Sequence, residues 1–133
     1  MPLSPPALAH LQKARRHAEF FRGLSGTQYP DWKLVAGFYV AVHLVSAALV
    51  EDGIKVSTHS KRAKEIIKHP ALRQCKNPYF NLKDISEHAR YHPKGGAAPY
   101  PSAVACEQAL QTHFRAVREF VCRHLAIDPA DYC

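Results

Sequence analysis

The sequence predicts an all-α fold, a bundle of four or five helices running mostly antiparallel, in a single domain over residues 1–133. Three observations lead there. From Leu34 to Val50 no acidic or basic side chain appears except His43, the segments on either side repeat apolar residues at three and four, and no stretch alternates convincingly as a strand. A helix that is apolar nearly all round must be covered on most sides by the rest of the chain. The run falls short of the roughly 20 residues of a membrane span, and Lys33, Glu51 and Asp52 crowd its ends, so no membrane is expected.

The first helix starts at Ser4, an N-cap residue, with Pro5 and Pro6 suited to the first turn. Leu8, Leu11, Ala14, Ala18 and Phe21 form its apolar stripe, and Gly23 ends it. Lys13, Arg15, Arg16, His17 and Arg22 occupy the other face, either solvated or turned toward phosphate. After a linker to Tyr29, Pro30 and Asp31 open the central helix, which stops at Asp52 and Gly53.

Ile54 to Val56 is too short for a strand. Ser57, Thr58 and Ser60 are competing N-caps for a helix reaching Lys68, which His69 and Pro70 end. Ala71 to Cys75 suits one more turn, and Asn77 and Pro78 start a helix that places Leu82, Ile85 and Ala89 inward until Pro93. Lys94 to Pro101 is a loop rich in glycine and proline. Ser102 then caps a last helix with Ala103, Cys106, Leu110, Phe114, Val117, Val121 and Leu125 on its apolar stripe, ending at Asp128 and Pro129 before a short tail.

Eighteen basic against eleven acidic side chains give a net charge of +7, which favours an anionic partner. No Gly-rich phosphate loop, Gly-x-Ser-x-Gly or paired-carboxylate pattern occurs, so most enzyme classes have no support. Cys75, Cys106, Cys122 and Cys133 form no Cys-x-x-Cys pair and no leader-like run precedes them; free thiols in a cytoplasmic protein are expected.

Chemistry concentrates in three places. On the central helix Trp32, Ala36, Tyr39, His43 and Ala47 share a stripe, so a phenol and an imidazole lie one turn apart on an apolar rod. His43 is either a core histidine satisfied by Tyr39 or a carbonyl, or part of a site in contact with His59, Arg62, Arg90 or Tyr91. In Ser57 to Arg62, His59, Lys61 and Arg62 oppose the helix dipole unless an anion sits on the free amides, and Ser60 adds a hydroxyl. In Ser86 to His92, Ser86 and Arg90 lie one turn apart; Arg90 and His92 also suit a helix C-terminus. His88 and His92 have metal-ligand spacing but no third ligand nearby, so neither metal nor cofactor is expected.

Taken together, Phe38-Tyr39-x3-His43-Leu44-Val45-x-Ala47-x-Leu49, Thr58-His59-Ser60-x-Arg62 and Ser86-x2-Ala89-Arg90-Tyr91 resemble a bacterial branch of the HEPN domains (higher eukaryotes and prokaryotes nucleotide-binding). The resemblance covers Trp32 to Tyr91. It implies a helical bundle, often a homodimer, that binds RNA or nucleotide. Some members are metal-independent endoribonucleases of toxin–antitoxin or phage-defence systems, for which a cognate antitoxin protein would be the partner; others are non-catalytic nucleotide-binding or protein-interaction modules. The resemblance implies an arginine–histidine motif, which is read here in Arg118-x5-His124, although Glu119 stands where a polar Asn, Asp or His is common, and also in Arg62-x6-His69. The reading adopted places catalysis on His43, His59, Arg62, Arg90 and Tyr91, and binding on Tyr39, Ser60 and Ser86, with Arg118 and His124 as the lesser candidates.

Overall fold

The computed structural model describes residues 2–24, 26, 28–91 and 101–132. Helix accounts for 81% and no strand occurs among them, which settles the all-α class. The helices are α1 (Pro5–Gly23), α2 (Pro30–Glu51), α3 (His59–Lys68) and α4 (Lys76–Arg90), then α5 (Ala103–Ala109), which runs through a π-helical segment Leu110–Phe114 into α6 (Arg115–Leu125). Short 3₁₀ turns lie at Leu72–Cys75 and Pro129–Tyr132. His92 and residues 94–100 of the expected loop lie outside the described residues.

α2 is the centre. It packs on α1, α4, α5, the π segment and α6, and from Leu34 to Leu49 only Tyr39 and His43 are not fully buried. It is long and apolar enough to cross a membrane, but 78% of its most apolar window is buried in the bundle. Gly37 is required by packing: a Cβ there would stand 2.8 Å from Leu110 Cδ2.

The starts of α1, α3 and α5 are capped by chemistry visible in the sequence, whereas those of α2 and α4 have no side-chain cap. Ser4 Oγ accepts from Ala7 N at 3.3 Å, Thr58 Oγ1 from Lys61 N at 3.0 Å, and Ser102 Oγ from Ala105 N at 3.0 Å. Of the three candidate caps for α3, Thr58 is the one used. The start of α1 is also tied to the end of α2, since Ser4 N donates to Glu51 Oε1 at 2.8 Å.

Several expectations need correction. Leu8 is 49% exposed and Ala7 takes the inward place on α1. Phe21 and Ile85 are only half-buried, and Ala103, at the first turn of α5, is exposed, so the inward stripe of the last helix begins at Cys106. His17 does not belong to the solvated basic face: it stacks on Tyr39 and His43 of α2. The tail is no loose end, because Ala126 turns left-handed (φ 57°) and the last 3₁₀ turn buries Tyr132 beneath Arg15 of α1. Cys75, Cys106 and Cys122 are buried, and Cys133 lies outside the described residues.

The π segment has a cause in residue spacing. About five turns of α-helix take about 18 residues, one fewer than separate Cys106 from Leu125. Both ends of that stripe are buried, and so are Leu110, Phe114, Val117 and Val121 between them. The wider turn at Leu110–Phe114 takes up the extra residue and keeps the stripe inward.

Candidate functional site

Arg62 stands in the first turn of α3, where its charge faces the positive end of the helix dipole. It is nevertheless buried, at 6% exposure. Its Nε donates to Ser46 Oγ of α2 at 2.9 Å and its Nη1 to His59 Nδ1 at 3.2 Å. It takes part in none of the ion pairs among the described residues. A guanidinium removed from water without a carboxylate is an unbalanced charge.

His59 lies against Phe38 and Tyr39, ring centres 5.8 and 6.4 Å away. Burial lowers its pKa, and Arg62 and Arg90 lower it further. A guanidinium only donates, so Nδ1 is the acceptor and the ring proton of neutral His59 sits on Nε2.

Arg90, at the end of α4, folds back to donate from Nε to Ser86 O at 3.3 Å and from Nη1 to the Tyr39 hydroxyl at 2.8 Å. Its guanidinium lies 5.3 to 5.5 Å from the ring centres of Phe38, Tyr39 and Tyr91. This cation–π packing fixes the fork in place. Tyr91 is 65% exposed beside it. Beneath the group, Tyr79 and Ser86 are fully buried, and neither hydroxyl has a hydrogen-bond partner among the described residues. Burial pushes the Tyr79 phenol up to about 12, against the pull of Arg62.

The expected partner of His43 is wrong. It is held from α1: His10 Nδ1 lies 3.2 Å from His43 Nδ1, and His17 stacks on His43 at 5.4 Å with planes 7° apart. Tyr39 continues the stack on the other side of His17, at 5.6 Å. Burial, then His17, His10, Lys13 and Arg62, lower the His43 pKa to about 4; burial leads the lowering at His10 and His17 too. Sequence reasoning missed His10 and His17. Their seven-residue spacing, two turns on one face, was the available signal.

His43 and Arg62 meet in another way. Both line a cavity of about 450 Å³ with His10, Lys13, Lys55 and Ser57. The structure therefore gathers Tyr39, His59, Arg62, Arg90 and Tyr91 into one cluster on α2, α3 and α4, and joins His43 to it through His17 and through the cavity. Ser60 is exposed on α3 and takes no part in these contacts, and Ser86 contributes only its carbonyl.

The two arginine–histidine spacings place their members against different neighbours. Six positions of α-helix put Arg118 and His124 about 120° apart. Arg118 lies over Phe114 and lines a separate cavity of about 210 Å³ with Phe21 and Lys33, while His124 stacks on Phe120 and meets His69 edge-on. His69 is structural. Its Nδ1 accepts from the Ala71 and Leu72 amides, both at 3.1 Å, so its Nε2 carries the proton that bonds Asp52 Oδ2 at 2.5 Å.

Among the described residues no group of His, Cys, Asp and Glu could hold a metal ion. No protein-family profile, curated protein or solved structure matches the chain.

Proposed function

We propose that the chain is a HEPN-like, up-and-down helical module that binds RNA or nucleotide through the Tyr39, His59, Arg62, Arg90 and Tyr91 cluster. One observation carries the reading: Arg62 is buried against His59, on which Arg90 also acts, and no carboxylate among the described residues pairs with it. An anionic ligand supplies the missing charge, and phosphate matches the guanidinium fork. The exposed Tyr91 ring beside Arg90 offers a face for a base. The net charge of +7 acts in the same direction.

Metal-free strand cleavage is the second reading. It needs a base to take the ribose 2′ proton, with a pKa near the working pH. His59 has its Nδ1 engaged by Arg62, which leaves Nε2 as a donor, and His43 at about 4 is a weak base. Both features favour binding over turnover. Exposed Phe20, Trp32 and Val104 support pairing of two copies, which light scattering tests as a doubled mass.

The main test is titration of a short single-stranded RNA by fluorescence anisotropy, with the strand recovered and sized in the presence of EDTA. Binding should weaken linearly in log affinity with log salt. Arg90→Gln should lose about tenfold or more, in line with about 1.5–3 kcal/mol for a charge-assisted contact. No binding at low salt would refute the proposal, and shortened strands would favour the endoribonuclease reading.

A further inference from the structure

The cavity between α1, the end of α2 and the start of α3 stands apart from the Tyr39 to Tyr91 face, with Arg62 as the residue common to both. Its walls include Lys13, Lys55 and Arg62, the imidazoles His10 and His43, and Ser57, and none of its lining side chains is acidic. At about 450 Å³ it falls in the size range of small-ligand sites. The first turn of α3 opens beside it and also lacks an acidic residue, so the helix dipole adds to the same positive field. Ser46 and His59 engage two of the N–H groups of Arg62, and a guanidinium carries five.

We propose that this cavity seats a phosphomonoester, the terminal phosphate of an RNA strand or of a mononucleotide; this rests on the RNA-binding reading above. The choice of monoester over diester follows from charge. A terminal phosphate carries about −1.5 to −2 at neutral pH and an internal phosphodiester about −1. The cavity brings three cationic side chains together, one of them buried, with no acidic side chain among its described lining residues. The two imidazoles extend the match. Burial and neighbouring cations keep His10 and His43 neutral at pH 7, and a dianion placed beside them raises their affinity for protons, so binding takes up protons from solution. The apolar walls Pro6, Ala9, Val50 and Val56 leave room for the sugar or base next to the phosphate.

Calorimetric titration with five probes tests this: one short RNA sequence bearing a 5′-phosphate, a 3′-phosphate or hydroxyls at both ends, together with 5′-AMP and adenosine. At least one phosphorylated strand should bind about tenfold more tightly than the hydroxyl strand, and AMP more tightly than adenosine. Whichever arm gains identifies the source of the phosphate. Lys13→Gln combined with Lys55→Gln changes two exposed side chains and should erase that difference without lowering the melting temperature. Arg90→Gln should weaken all strands alike. Heats measured in two buffers of different ionisation enthalpy should show proton uptake on binding. Equal affinity for phosphorylated and hydroxyl strands, or a gain that survives the double lysine variant, overturns the cavity assignment but leaves RNA binding standing. AMP binding in the cavity with no binding of any strand overturns the RNA reading and supports the cavity.

Discussion

His10 and His43 face each other through their Nδ1 atoms, 3.2 Å apart, so one ring must donate and the other accept. With His17 stacked behind His43, a second proton on this pair would put like charges together in a half-buried site. The consequence is acid sensitivity. Unfolded, His43 takes up its proton near 6.5; folded, only at about 4. Between these values the unfolded chain binds more protons, so stability is complete above 6.5, falls as pH drops, and levels off below about 4. His10, His17 and His59 shift in the same direction. Thermal melting followed from pH 7.5 to 5, above the usual carboxylate range, should show a falling midpoint, and His43→Gln should flatten it. A midpoint constant to pH 5 would contradict the arrangement.

Arg62 separates stability from binding. The sequence alone suggests that Arg62→Ala costs ligand and leaves the fold intact; burial corrects this, because truncation opens a hole under α3 and frees the Ser46 hydroxyl. A loss of about 2 kcal/mol or more is expected in denaturant unfolding. Arg62→Met keeps the volume and removes an unbalanced buried cation. Its stability should stay within about 1 kcal/mol of the parent while RNA affinity falls about tenfold or more. If Met and Ala destabilise equally, Arg62 serves the fold and not a ligand.

Arg118→Ala and His124→Ala should leave RNA affinity unchanged. The two side chains point to different neighbours, Phe114 and Glu119 for one, Phe120 and His69 for the other. Loss of binding or of any strand cleavage in both variants would move the site to α6.

His69→Leu should lose about 2–4 kcal/mol of stability with RNA affinity preserved. Two backbone amides and Asp52 lose their common partner, and each buried unmet donor costs about 1–3 kcal/mol. Urea unfolding measures it; a change under 1 kcal/mol would show that water replaces the ring.

What the sequence revealed depended on how local the cause was. Ser4, Thr58 and Ser102 were legible as caps because a cap is decided within four residues, and α2 was legible because an unbroken apolar surface has no other place to go. Tyr39, Arg62 and Arg90 were legible as a group because hydrogen-bonding residues at the ends of α3 and α4 had one apolar helix to meet. The partners of His43 were not. His10 and His17 look like members of a basic face until the rotation of α1 against α2 is known, and a sequence does not state that rotation. Arg62 failed for a related reason: its first-turn position suggests exposure, and only the fold shows it turned inward to Ser46.

The wide turn at Leu110–Phe114 gives the last helix a tolerance in length. It holds one residue more than the core stripe requires, and Gln111 and Thr112 within it are exposed. Deleting either one should restore an ordinary α register without turning Val117, Val121 or Leu125 away from the core, whereas the same deletion in α2 would rotate every later side chain of that helix by about 100°. A one-residue deletion is thus absorbed at one place in the molecule and ruinous at its centre.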